Sequence, residues 1–398
     1  MSALTNQISY RRQQAAASGG IFDTFGSVIV SAGHGPGSRV NVTVPAGSTE
    51  TDLKKALDHA LELGQERKGA MGCWAEECPA PRWVTAAAVE RGMQWGWTAR
   101  WMARPTSKPL PEEKKVEGID IKRITAVPEK RAEQIPFVDE RWSLLLPLDP
   151  STLVLGAFDS DTMVGTVAVH CTPSRDGAVF NLGVADSYQR RGIGRALMVA
   201  LLRLAKEEGL KDVTLNATDA GAGLYLGLGF EDRGRGQTWW INSDMWDRPA
   251  PTAQQRAVSR AIALDSSEVP PTDNAMLPCN MTPMRLAATT DSPHAAAALE
   301  KQGIKLDALS AWDLGWKDRA EQILKDGALD QLDETEKATT LHTAIQRDDR
   351  ELAALCLKLG ARTDVKDGNW DSPAVGWCNA CGRPEIAQMI RDRDSGQA

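Results

Sequence analysis

The stretch Ser187 to Leu197, SYQRRGIGRAL, places two glycines and three arginines in eleven residues, between a short apolar run and a strongly amphipathic one. Gly192 and Gly194 remove side chains where an anion can approach the backbone. A helix opening there aims unbonded N–H groups and the positive end of its dipole at the same spot. Gln189, Arg190 and Arg191 add donors, and Arg195 adds charge one turn inward. Phosphate binding is the chemistry these residues offer; a tight turn followed by a solvated helix start is the other reading. The spacing fits neither GxxxxGK[ST] nor GxGxxG, whose last position is held by Leu197.

The elements around this stretch read as β/α/β material. GIDIKRIT (118–125) alternates as a strand should, and STLVLGAFD (151–159) and TMVGTVAVHC (162–171) form a hairpin. GAVFNLGVA (177–185) is a strand leading into the glycine–arginine segment. GRALMVALLRLAKEEG (194–209) is a helix with Ala196, Leu197, Ala200, Leu201 and Leu204 on one face. KDVTLNAT (211–218) is a further strand, AGAGLYLGLGF (220–230) a short helix into a turn, and GQTWWI (236–241) a last strand.

The chain of 398 residues is too long for one core, and its 42% hydrophobic and 25% charged content is that of a soluble globular protein. A net charge of −7 argues against nucleic acid and anionic membrane as partners. No apolar run reaches a membrane span, and the start lacks the apolar core of a signal peptide, so a cytoplasmic location is expected. Seven scattered cysteines suit free thiols. Cys378 and Cys381 have metal spacing, but no further ligands accompany them, so no metal is expected. Breaks at 1–26, 105–115 and 247–280 divide the chain into a disordered lead, a block 27–104, a linker, a block 116–246, a proline-rich linker with a short helix, and a block 281–398.

The last block repeats. Ala311, Ala320, Leu324, Gly327 and Ala328 lie 33 residues before Ala344, Ala353, Leu357, Gly360 and Ala361, and Thr339-Thr-Leu-His-Thr-Ala344 opens that second unit. A period of 33 with a TPLHxA-like opening and a terminal Gly-Ala resembles the ankyrin repeat. The resemblance implies an all-α solenoid of about 3–4 units, with Thr339 as a helix cap and His342 in a structural role.

Residues 118–241 resemble the GNAT family of acetyl-CoA-dependent N-acetyltransferases. The resemblance rests on FNLGVA, SYQRRGIGRAL, the following helix, the strand ending at Asn216, and Tyr225 in LYLGLGF. It implies a mixed-sheet α+β fold. Gln189, Arg190, Arg191, Gly192, Ile193, Gly194, Arg195 and Ala196 would wrap the pyrophosphate of acetyl-CoA. The backbone of Leu182, Gly183 and Val184 would pair with the pantetheine arm, Asn216 would match the family asparagine, and Tyr225 would protonate the departing thiolate. The base is not legible: Asp186, Asp219, His170 and Glu140 are candidates.

Block 27–104 resembles the divergent N-terminal half of tandem GNAT proteins and lacks the glycine–arginine loop, so no coenzyme is expected there. Trp74, Trp95, Trp97 and Trp101 could line an acceptor pocket, although packing is the simpler use of tryptophan area. The function expected is acetyl transfer to a primary amine, of a small molecule such as an antibiotic or metabolite. The acidic balance favours a cationic amine. The alternatives are a weakly catalytic scaffold whose repeats bind a protein partner, or a protein acetyltransferase that docks its substrate on the repeats.

Overall fold

The computed structural model describes residues 3–136, 138, 149–333 and 337–396, the side chains of residues 219 and 220 excepted. Two compact units result: residues 1–88 with 94–249, and residues 89–93 with 250–398.

The first unit is built on one eleven-stranded sheet. In chain order its elements are α1 (Ala3–Ser18), β1 (Ile21–Phe25), β2 (Val28–Ala32), β3 (Val40–Val44), α2 (Glu50–Arg67), β4 (Met71–Ala75), α3 (Arg82–Val89) and β5 (Gln94–Pro105). They continue with β6 (Ile119–Ile124), β7 (Thr152–Asp159), β8 (Thr162–Cys171), β9 (Gly177–Val184), α4 (Ile193–Glu207), β10 (Asp212–Ala217), α5 (Asp219–Gly227) and β11 (Glu231–Ile241). The spatial order is β1-β2-β3-β4-β11-β5-β10-β9-β8-β7-β6. Blocks 27–104 and 116–246 are therefore interlaced: β10 pairs along its whole length with Arg100–Pro105 of β5, and β11 inserts between β4 and β5. Both edges of β5 are bonded, which is why a tryptophan-rich strand from the first block lies inside the sheet of the second.

Residues 3–18, expected as part of a disordered lead, form a helix instead. Leu4 is buried among Trp74, Ala99 and Trp101, and Asn6 Nδ2 donates to Thr214 Oγ1 at 2.9 Å. Hydropathy gave no warning, because the sheet-facing residues of α1 include Asn6 and Gln7, which fold inward although polar. On the opposite side of the sheet, Ile193, Leu197, Leu201 and Ala205 of α4 pack on Leu153, Val167, Val213 and Leu215. The periodicity of this helix places those residues on one stripe.

The second unit is helical. Its main elements are α6 (Ala253–Ala263), α7 (Pro283–Thr289), α8 (Pro293–Lys301), α9 (Ala308–Asp313), α10 (Lys317–Ile323), α11 (Thr340–Arg347), α12 (Arg350–Lys358), α13 (Ala374–Cys381) and α14 (Pro384–Asp394). Thr282, Asp307 and Thr339 cap α7, α9 and α11, accepting from the N–H groups of Arg285, Ser310 and His342. Gly360 (φ 91°) turns the chain after α12, where Ala361 N–H donates to Cys356 O at 3.0 Å. His342 Nδ1 lies 2.8 Å from Thr339 Oγ1, and its Nε2 lies 3.2 Å from Ser372 O in the next connection. Cys378 is buried in this core. No helix among the described residues is long and apolar enough to cross a membrane.

Candidate functional site

The glycine–arginine loop joins β9 to α4, and two features hold β9 away from β10 there. The parallel pair is bonded at Val213–Gly177 and Thr214–Ala178, after which the strands part. β10 keeps to β5, paired from Asp212–Pro105 to Ala217–Arg100. β9 carries one extra residue against β8, between the pairs Ala168–Phe180 and Thr166–Gly183, with Asn181 at φ 55°. This bulge re-aims Leu182, Gly183 and Val184. Asn181 was not singled out in the sequence; an asparagine amid the apolar run AVFNLGV was the available signal, since asparagine tolerates the left-handed region.

The loop is fastened from within. Gln189 Nε2 donates to Asp186 Oδ1 at 2.8 Å and to Val184 O at 3.2 Å, Tyr188 O–H donates to Asp159 at 3.0 Å, and Arg191 lies over the Tyr188 ring. Asp186 is thus a turn residue. Gly192 adopts φ 88° at the N-cap of α4, a region that disfavours any other residue. A Cβ built there meets nothing nearer than Val116 Cγ2 at 3.8 Å, and one on Gly194 meets Val184 Cγ2 at 3.9 Å, so the space beside both glycines is open. α4 has no side-chain cap and no acidic residue in its first turn. Its first amides and dipole remain directed at that space. Ile193 is buried and anchors the turn, and Ala196 N–H makes the first helical bond, to Gly192 O. Arg195 donates instead to Glu112 O at 2.8 Å, strapping residues of the 105–115 linker to α4.

Tyr225 comes from α5, whose cap is Thr218 rather than Asp219: Thr218 Oγ1 accepts from Gly221 N–H at 3.2 Å. The ring packs edge-on to Phe230, 5.8 Å between centres, and burial pushes its phenol up to about 12. The turn after α5 is held by Arg104, which the sequence reading did not single out. Its Nε donates to Leu228 O at 2.9 Å and its Nη2 to Pro109 O at 2.5 Å.

Asn216 lies on the other face of β10 from Val213, Leu215 and Ala217, in register with Trp101. It lines a crevice under α1 with Gln7, Phe180 and Thr214. Gly183 is constrained sterically, since a Cβ there would stand 2.6 Å from Pro136 O. Among the base candidates, His170 is 2% exposed, within 3.2 Å of Ser9 Oγ and 3.3 Å of Thr152 Oγ1. Burial lowers its pKa, and it is a packed structural histidine. Glu140 and the Asp219 side chain lie outside the described residues.

Trp74 meets Trp97 and Trp240 edge-on, and Trp101 Nε1 donates to Glu76 O at 2.8 Å. Trp95 faces Trp239 instead. The tryptophans thus divide between the two faces of the sheet. Among the described residues no three His, Cys, Asp or Glu side chains gather as a metal site would require.

Residues 120–230 match the family model described as Acetyltransferase (GNAT) family. A segment of 77 residues is 34% identical to N-acetyltransferase 8B of Rattus norvegicus, which is 18% of this chain and 35% of that protein. The chain therefore spans about a third of the length of this curated relative. Among solved structures, a GCN5-related N-acetyltransferase from Kribbella flavida is 17% identical with a TM-score of 0.45, covering 60% of this chain and 95% of that one. A tandem GNAT protein from the clavulanic acid biosynthesis pathway is 15% identical with a TM-score of 0.38, covering 54% and 79%.

Proposed function

We propose that this chain, residues 120–230 of which match the acetyltransferase (GNAT) family, is an acetyl-CoA-dependent N-acetyltransferase acting on a primary amine. The observation that carries this reading is the parting of β9 from β10 beside an uncapped, acid-free helix start. Acetyl-CoA supplies a thioester to be attacked and a pyrophosphate to be held. The amides of Gly192, Ile193 and Gly194 and the donors of Arg190 and Arg191 suit the pyrophosphate. Gln189 holds the loop in shape, and Ile193 and Ala196 set the helix start.

The backbone edge of Leu182, Gly183 and Val184 suits the pantetheine arm, with amides near the carbonyl oxygen where charge develops. The amine nitrogen bonds to the acetyl carbon, the carbon–sulfur bond breaks, Tyr225 gives its proton to the leaving sulfur, and the proton lost from the nitrogen passes through water to restore the phenol. A phenol raised toward 12 remains protonated at neutral pH, as an acid must. Arg195, bonded to the linker, positions the helix start rather than the phosphates. Asn216, on the α1 face, suits the acceptor side.

Calorimetry with acetyl-CoA tests the reading. Binding is expected in the wild type, and Gly192→Trp should weaken it on the order of a hundredfold by filling the open space. Absence of binding to the wild type, or unchanged affinity in the variant, would overturn it.

For residues 281–398 we propose an ankyrin-type stack, supported by the paired helices, their Thr and Asp caps and the His342 bridge. Trp370, 69% exposed on the connection before α13, favours a protein-docking role for it. Retained binding of a captured partner by Trp370→Ala would refute that role.

A further inference from the structure

α1 covers the sheet face that carries Trp74 and Trp240 and crosses the gap between β9 and β10, where Tyr10 stacks on Phe180 at 3.7 Å. A helix that merely completed a core would present apolar residues, but this one presents polar atoms and leaves several unpaired. The Arg11 guanidinium lies 5.1 Å from the centre of the Trp74 ring, and its Nη1 is buried without a hydrogen-bond partner. The indole N–H of Trp74, in a side chain only 6% exposed, also lacks one. A second cation, Arg39, lies near Arg11 and stands over the Trp240 ring at 5.6 Å. Burial and this neighbour lower the Arg11 pKa to about 9. Two desolvated donors without partners, one of them on a guanidinium, make a site that an anion completes.

One helical turn earlier the polarity reverses. Asn6 Oδ1 and Gln7 Oε1 are buried carbonyl oxygens without partners. Gln7 lines the crevice at the point where β9 and β10 part, with Asn216. Gln7 and Arg11 stand four residues apart and so lie on one face of α1, roughly 5–6 Å apart at Cβ. Acceptor oxygens suit an amine, donors suit a carboxylate, and the two sets lie a short molecule's length apart.

We propose that the acceptor is an aminocarboxylate held between α1 and the tryptophan face, its carboxylate on Arg11 and Trp74 and its amine directed by Gln7 toward the gap between β9 and β10. This rests on the transferase reading above and assigns its substrate class. The crevice has room for about one water, so α1 swings outward on Gly19 and Gly20 to admit the acceptor. Gly19, at φ 65°, supplies the flexible joint. The overall charge of −7 favoured a cationic amine; the charges at the site are of the other sign and sit closer to the ligand.

The test is acetyl transfer, followed by coenzyme A release, to matched pairs that differ by the carboxylate: phenylalanine and phenethylamine, tryptophan and tryptamine, lysine and cadaverine. Wild-type protein is expected to favour the acid member of at least one pair by about tenfold in kcat/KM, through KM. Arg11→Gln should bring that ratio close to one, and Arg11→Lys should keep part of it. Calorimetry with acetyl-CoA shows that each variant is folded. Equal kcat/KM within every pair, no transfer to any amino acid by protein that binds acetyl-CoA, or a ratio that survives Arg11→Gln would each overturn the assignment. Failure of the wild type to bind acetyl-CoA would instead overturn the transferase reading beneath it.

Discussion

The first unit contains the same motif twice: a strand, a helix and a parallel neighbouring strand, as β3-α2-β4 and as β9-α4-β10. In the first copy the parallel strands are bonded at five positions, from Val40–Met71 to Val44–Ala75; in the second, at two. In the first copy the helix start is satisfied internally. Thr49 accepts from Asp52 N–H at 3.2 Å, and Glu50 and Asp52 place negative charge in the first turn. In the second copy a glycine at φ 88° replaces the cap, and Arg195 stands at the helical position that Asp52 holds in the first. The closed copy satisfies its helix start internally, whereas the open copy leaves its first amides uncapped and its parallel strands parted. The comparison teaches that one architecture yields a closed junction or an open one through a handful of residues.

The largest effect is expected from the chemistry of the open copy. Tyr225→Phe should lower kcat on the order of a hundredfold while leaving acetyl-CoA affinity nearly unchanged, measured by single-turnover kinetics beside calorimetry. Because burial raises the phenol from 10 to about 12, the acid form persists to high pH. The rate should therefore show no alkaline loss from this group below pH of about 10. The same shift has a stability consequence. A folded-state pKa above the unfolded one gives stability that is full below pH of about 10 and lost as pH rises toward 12.

A middle-sized effect should follow from making the open copy resemble the closed one. Gly194→Asp gives α4 an acidic first turn, as Asp52 does for α2, at a position where a Cβ meets only ordinary contact. Acetyl-CoA affinity should fall about tenfold by repulsion, while the thermal midpoint holds or rises slightly. An unchanged affinity would mean that the anion lies elsewhere. The smallest effect is expected from the closed copy. Thr49→Ala should cost about 1 kcal/mol in denaturant unfolding and leave acetyl-CoA affinity as it was.

Much of this was legible in the residues. The hairpin β7–β8 and the helix α4 followed from alternation and amphipathic period, which act locally. The glycine–arginine loop followed from composition at a strand–helix junction. α1 was not legible, because it buries the polar Asn6 and Gln7 against a sheet assembled from distant strands, as the Asn6–Thr214 bond, 208 residues apart in sequence, illustrates. Arg104 was equally hidden. An arginine at the end of a strand reads as exposed until α5 and the linker carbonyls close around it. Tyr225 was legible as a residue but not as an acid with a raised pKa, since that depends on what covers the ring.

By itself the sequence determined a local alphabet: the strands and helices of residues 118–241, where a glycine must take a left-handed turn, and where the chain repeats with a 33-residue period. These are short-range consequences of backbone sterics and hydrophobic spacing. Only the tertiary structure decided that the two halves share one sheet, that β5 and β10 stay together while β9 leaves, and that a polar helix lies over the resulting gap. Those outcomes depend on which strand edges satisfy one another's hydrogen bonds across the whole chain, and no window of sequence contains both partners.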